Sequence, residues 1–312
     1  MSNRDTTIQA VIYHAPAEGK VGPHLSASLA RQWQRYQKRL RRCQKRYSEP
    51  AVHQWRIETR RLLASLELLR ALASGSRITK AQRIIKKHLD TFDELRDLHI
   101  QLLIVGQWTR RYVAARALQE HLRKREKRCE KRLRRQVQRL RTDRLGRFIE
   151  GFVDETAERS KSRPGRDPDA KVLGAVRDAF AKVMGLKARI RRSNPDTIHR
   201  TRIAFKRYRY MVETLASLLP HLTEKQLTRM HAYQTAMGNI QDLEVLIASL
   251  EAFARKRSPD AKASARFRTA LRRRQQGLIT HYLKIADKLE AFQPEPRLRR
   301  RTVGDTTEQK PK

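Results

Sequence analysis

From Leu25 onward the apolar positions step by three or four: Leu25, Leu29, Trp33, Tyr36 and Leu40. That period places one apolar stripe along an amphipathic helix. Ser48-Glu49-Pro50 interrupts it, and the next helix opens there with Ser48 as N-cap and Pro50 in the first turn. This second helix runs to about Ala73, where Gly75 is expected to close it. Residues 79–110 predict a third helix, and 112–157 a long fourth tract with a break near Gly146 or Gly151. Residues 159–171, "RSKSRPGRDPDAK", hold two prolines and a glycine without apolar period, so they read as a linker. Helical pattern then returns at 172–192, 197–219, 223–257 and 260–292, interrupted by "SNPD" at 193–196 and by Pro220. No alternating run outscores the helical template, so the class is all-α. The expected organisation is a flexible arm at 1–22, a helical repeat at 23–158, the linker, a second repeat at 172–292, and a disordered basic tail at 293–312.

The halves share more than helix count. "VHQWRIETRR" at 52–61 returns as "IHRTRIAFKR" at 198–207. His53 matches His199, Arg56 matches Arg202, Ile57 matches Ile203, Arg60 matches Lys206 and Arg61 matches Arg207, all 146 residues apart. Glu67 and Glu213 keep that spacing. A second echo, "LRDLHIQLL" at 95–103 and "IQDLEVLIA" at 240–248, pairs Asp97 with Asp242 at a spacing of 145. Two signatures in one order and nearly one register indicate an internal duplication.

On a helical wheel at ~100° per residue, Val52, Trp55, Leu62, Leu66 and Leu69 take one side. His53, Arg56 and Arg60 fall within ~60° of one another on the other side. In the second copy His199, Arg202 and Lys206 oppose Ile198, Phe205, Val212, Leu215 and Leu219. One such stripe reads equally well as a solvated basic face, and its repetition favours a site. Guanidinium forks fit phosphate oxygens bidentately, and a histidine beside phosphate can donate a hydrogen bond or gain a proton.

Charge strengthens this picture. Among 312 residues, 71 lysines and arginines face 32 acids, a net +39, which calls for a dense anion: nucleic acid, an anionic membrane face or polyphosphate. Arg31–Arg46 holds eight basic residues and no acid, and Arg35, Lys38, Arg39 and Arg42 are candidates to extend the ligand surface. Arg123–Arg144 holds twelve basic residues and three acids, of which Glu126 and Glu130 can pair along their own helix. Cys43 and Cys129 make no metal-ligand spacing, and the remaining histidines, His99 among them, follow none, so no metal or cofactor is expected. Asp97 and Asp242 are expected to orient an arginine or stabilise a helix. There is no P-loop, no carboxylate cluster to hold Mg²⁺ and no placed nucleophile, so no catalytic residue is expected. No secretory leader and no apolar run of ~18 residues is seen, so the expectation is a cytoplasmic protein without a membrane span.

The phrase HxxRIxxRR, followed about 40 residues on by Arg96-Asp97-Leu98 and by Gln241-Asp242-Leu243, all of it written twice, resembles the CHAD domain, the conserved histidine α-helical domain. The resemblance covers roughly residues 23–292. It implies two four-helix bundles related by a pseudo-twofold axis, with basic residues lining a groove or pore between them. It also implies binding of inorganic polyphosphate and association with polyphosphate granules. Some members carry a triphosphatase domain with an ExExK motif; that motif is absent here, so the activity is not carried over. Trp55 and Thr201 stand where leucine is usual, and Gln241 replaces the arginine expected before Asp242. The expected ligand set is His53, Arg56, Arg60, Arg61, His199, Arg202, Lys206 and Arg207. The alternative is a basic helical protein that binds nucleic acid. Aromatic residues are only 6% and mostly sit in apolar stripes, leaving few stacking platforms for bases.

Overall fold

The computed structural model describes residues 21–72, 75–138, 140, 142–162, 168–219, 222–257 and 260–294, which form ten α-helices and no strand. They are α1 (Val21–Lys45), α2 (Glu49–Leu72), α3 (Ser76–Thr91), α4 (Asp93–Gly106), α5 (Val113–Val137) and α6 (Thr142–Ser162), then α7 (Pro168–Lys187), α8 (Pro195–Thr214), α9 (Glu224–Arg257) and α10 (Ala261–Ile285). Short 3₁₀ turns follow α8 and α10. Most of the expected arm and tail lies outside the described residues, as does the middle of the linker, whose flanks belong to α6 and α7. No helix among the described residues is long and apolar enough to cross a membrane.

Three boundaries differ from expectation. The fourth tract divides between Val137 and Thr142, while Gly146 and Gly151 both lie inside α6. A Cβ on Gly151 would meet nothing, and one on Gly146 would meet the Trp33 ring in ordinary contact, so neither glycine marks a turn. Gly75 is extended at φ −160° and precedes α3, so it is the N-cap of the next helix. The third tract is two helices, because the backbone leaves helical geometry at Phe92 (φ −101°, ψ 3°). Phe92 is fully buried with its ring 4.4 Å from that of Trp55, and Asp93 and Glu94 then open α4 where the helix dipole favours acids. The start of α8 matches its sequence cues: Asn194 accepts a hydrogen bond from the Asp196 N–H at 3.1 Å, and Pro195 opens the helix.

The core follows from the stripes. α1 lays Leu25, Leu29, Trp33, Tyr36, Leu40 and Cys43 against α2 and α6. The Trp33 and Tyr36 rings stack at 5.3 Å, Tyr36 leans on Trp55, and the Tyr36 hydroxyl meets His88 Nδ1 at 2.7 Å. In the second half Phe205 packs on Tyr233 at 5.1 Å, and Tyr233 on Tyr282 at 5.7 Å. Of the two departures from leucine, Trp55 fills the space between Tyr36 and Phe92, and Thr201 is fully buried with its hydroxyl donating to Thr197 O at 2.9 Å. Helices of the two halves touch: α1 with α7, α2 with α8, α4 with α9 and α5 with α10.

Removing the fully buried indole leaves a cavity bordered by Tyr36 and Phe92. Trp55→Ala should destabilise the fold by about 3–5 kcal/mol, read as a lowered urea midpoint followed by circular dichroism.

Candidate functional site

α2 carries its first signature between two neighbours. Val52, Trp55 and Leu62 are buried on its core side, and the His53–Arg56–Arg60 side turns toward α8, which brings its own stripe. The two stripes meet. Arg60 feels the charges of Arg56 and Arg202, and Lys206 those of Arg60, Arg202, Arg56 and Arg209. His53 feels Lys206 and Arg60, and His199 feels Arg202 and Lys206. Residues about 150 positions apart thus share one electrostatic neighbourhood.

Partners divide these cations into two sets. Arg56 is buried and fully engaged: one terminal nitrogen lies 2.5 Å from Asp93 Oδ1 and donates to Leu89 O at 3.1 Å. It therefore bridges the end of α3 and the start of α4, across the break at Phe92. Asp97, expected to orient an arginine or stabilise a helix, makes no ion pair among the described residues but lies in the field of Arg56 and Arg96, and Asp93 is the acid that pairs with Arg56. Arg61 lies 2.9 Å from Glu58 and 3.9 Å from Glu213, and Arg207 lies 2.6 Å from Glu67. Glu213 and Glu67 are equivalents in the two copies, so Arg61 and Arg207 reach exchanged partners across α2 and α8, Arg207 in a close pair and Arg61, held mainly by Glu58, in a long one. Arg209 is buried, paired with Glu213 and Gln234, with Tyr210 under its guanidinium at 4.5 Å.

Arg60, Arg202 and Lys206 make no ion pair among the described residues. The Nε of Arg202 is buried without a partner. Loss of water, followed by repulsion from neighbouring arginines, pushes Arg60 down to about 10 and holds Lys206 well below the ordinary lysine range. Arg202 lies against α9 at Gly238, where a Cβ would stand 3.4 Å from its Nε, an ordinary contact. Asp242 is the nearest compensation: Arg202, Arg96 and Lys206 pull its carboxyl down, but loss of water outweighs them and raises it. Asp97 is likewise pushed up, by loss of water and then by Asp93. Arg96, which sequence reasoning did not single out as a ligand, pairs with Glu49 and presses on His53. Only its place beside Asp97 in the second echo could have flagged it.

The histidines report the same field. Burial and then Arg96 push His53 down to about 4, and burial and then Arg202 lower His199, whose Nδ1 is buried without a partner. Both rings are neutral at pH 7. Arg35, Lys38, Arg39 and Arg42 are not part of this arrangement. They lie on α1, which packs on α2, α6 and α7, and none of them is among the charges acting on Arg60, Lys206 or the two histidines. A separate open cleft of about 570 Å³ borders α10 and the start of α8, lined by Arg192, Ser193, Arg268, Arg272 and Arg273. Arg272 there is already held by Glu244 and Glu251 at 3.3 and 3.4 Å.

The family model described as the CHAD domain matches residues 24–251, and the chain belongs to that family. No curated protein matches. Among solved structures, the CHAD domain from the plant Ricinus communis superposes with a TM-score of 0.68 at 21% identity, over 92% of this chain and 100% of that one. PptA from Streptomyces chartreusis superposes with a TM-score of 0.59 at 16% identity, over 86% and 99%. At these identities the likeness is one of fold.

The neutral histidines set an acid limit. The unfolded imidazole binds a proton near 6.5, whereas folded His53 does so only near 4, so the unfolded state holds more protons between those values. Stability is therefore present above about pH 6.5 and is lost as pH falls toward 4. His88, also pushed down to about 4 by burial, adds to the loss. The melting temperature should drop across this window, and His53→Gln should flatten the slope.

Proposed function

We propose that the α2–α8 cluster binds inorganic polyphosphate and holds it without cleaving it. The observation that carries this reading is the set of cations without counter-ions, Arg60 from the first copy with Arg202 and Lys206 from the second. A cation set away from water beside other cations costs free energy until an anion arrives. A chain of phosphates supplies charge at regular intervals, along a track contributed by both copies. The reading takes in a pseudo-twofold pair of four-helix bundles. The crossed pairs Arg61–Glu213 and Arg207–Glu67 support that relation, because equivalent residues exchange partners. Family membership supports the ligand class. On this reading the protein gathers at polyphosphate granules in the cytoplasm.

Neutral His53 and His199 offer one hydrogen-bond donor each, and a bound polyanion would draw a proton onto them. The non-catalytic part of the reading rests on the residue types of the stripes, which present donors and no metal-holding carboxylates to activate a phosphoanhydride. Purified protein incubated with polyphosphate and Mg²⁺ should release no phosphate beyond the protein-free control. Sustained release that disappears in His53→Ala would overturn it.

The deciding experiment titrates polyphosphate of defined length at two salt concentrations, with RNA of equal charge as competitor. Binding should weaken with salt through counterion release, and polyphosphate should win the competition. RNA winning would favour the nucleic-acid alternative. Each charge-assisted contact is worth about 1.5–3 kcal/mol, so Arg202→Ala should cost roughly ten- to a hundredfold in affinity. Arg299→Ala with Arg300→Ala in the tail is the control, and an equal loss there would mean that net charge alone carries binding. Lys206→Met separates function from folding. It removes a destabilised charge, so it should weaken polyphosphate binding yet raise the melting temperature of the free protein, by roughly 2–4 °C per kcal/mol of repulsion relieved.

A further inference from the structure

A second cluster lies where α4 crosses α5, away from the cationic stripes. Glu126 and Glu130 are one helical turn apart on α5 and share a face, and His99 on α4 meets them. One ligand-type atom from each of the three lies within 4.8 Å of the others. His99 is 4% exposed, its Nε2 stands 3.4 Å from Glu126 Oε1, and its Nδ1 is buried without a partner. Glu126 is 25% exposed and Glu130 half-buried, so the carboxylates remain open to an ion from solvent.

This is an odd set for packing alone. Among the described residues neither glutamate pairs with a lysine or arginine, although α5 is densely basic. The expected helical pairs are not made: the nearby cations Arg125 and Arg132 are taken by Glu94 at the start of α4. The remaining charges facing the cluster are Arg123, which acts on Glu126, Glu49 and Arg96, which act on His99, and Arg134, which lies over the Tyr47 ring. Two adjoining carboxylates thus meet the Nε2 edge of a buried imidazole without a salt bridge to any lysine or arginine among the described residues.

We propose that His99, Glu126 and Glu130 form a binding site for a divalent first-row transition-metal ion, with water completing its coordination. One imidazole and two carboxylates suit zinc, cobalt or manganese, whereas an ion that prefers all-oxygen shells, such as Mg²⁺, gains little from the imidazole. The cluster was hidden in the sequence because its ligands come from two helices, and the histidine is 27 residues from the nearer glutamate. The site does not depend on polyphosphate binding. Arg96 presses on both His99 and His53, so an ion here would sit next to the anion cluster electrostatically.

The test uses the full chain, stripped with chelator and exchanged into buffer without phosphate. Co²⁺ is titrated by its visible absorption, and Zn²⁺ by competition with a chromophoric chelator. Wild type should bind one ion per chain, and excess Mg²⁺ should not displace it. His99→Ala and Glu130→Gln should each weaken binding at least about tenfold, since even outer-shell changes cost ten- to a hundredfold. Zn²⁺ should raise the melting temperature of wild type but not of Glu130→Gln, with circular dichroism confirming that each variant is folded. Glu130→Gln keeps the proposal testable if His99→Ala does not fold. Cys129→Ser should bind as wild type does. No saturable binding, equal binding in wild type and Glu130→Gln, or loss of binding confined to Cys129→Ser would each overturn the proposal.

Discussion

Two helices that turn arginine and lysine toward each other do not pack unless something outweighs their repulsion. α2 and α8 manage it by flanking the cations with apolar contacts. Val52, Trp55 and Leu62 are buried on one helix, and Ile198, Phe205 and Val212 on the other. Burial of such side chains contributes about 1.5–3 kcal/mol each, enough in sum to carry an unfavourable strip between them. The crossed pairs Arg61–Glu213 and Arg207–Glu67 are half-open to water and add little energy, but they lock the register of the helices. With register set, Arg60, Arg202 and Lys206 must share one space.

The duplicated phrase does not give duplicated chemistry. Arg56 and Arg202 occupy equivalent positions, yet Arg56 is neutralised and Arg202 is not. The cause lies in a third helix. In the first half the chain breaks at Phe92, where Leu89 O accepts from the Phe92 N–H at 3.2 Å and also from Arg56, and Asp93 pairs with the same arginine. At the 145-residue spacing of this stretch the counterparts of Phe92 and Asp93 are Met237 and Gly238, inside the unbroken α9, so no acid stands where Asp93 does. One bulky aromatic, drawn into the core beside Trp55, thus turns one arginine into a structural tie and leaves its counterpart available to an anion.

Helix class, the repeated signature and the cationic side of α2 and α8 were legible because each depends on local period. The motif residues His53, Arg60, His199, Arg202 and Lys206 do converge. What local period could not show was which cations have partners. Arg61 and Arg207 look identical to Arg60 and Lys206 in the motif, but one step around the helix carries them to Glu213 and Glu67. The basic tract of α1 is a separate matter: its apolar stripe commits α1 to pack on α2, α6 and α7, and local period does not say which of its cations share the field of the α2–α8 cluster. The break at Phe92 was missed because Phe92 is apolar and fits a continuous helical pattern as well as it fits a turn.

Net charge and site charge act at different ranges. Most of the +39 is spread over exposed helix faces such as Arg128, Lys131 and Arg135 on α5, where a Debye length of about 8 Å at physiological salt screens it. Such faces draw in polyanions without discriminating among them. The α2–α8 cations are held partly out of water, where screening is weaker and where each already repels the next. An anion there gains more per contact than on an open face, because it relieves repulsion as well as pairing charge. On the reading proposed above, selection among polyanions would depend on how closely phosphates approach Arg60, Arg202 and Lys206. A bare phosphate chain has no sugars or bases to hold away from these cations, and that steric difference would favour polyphosphate over RNA of equal charge.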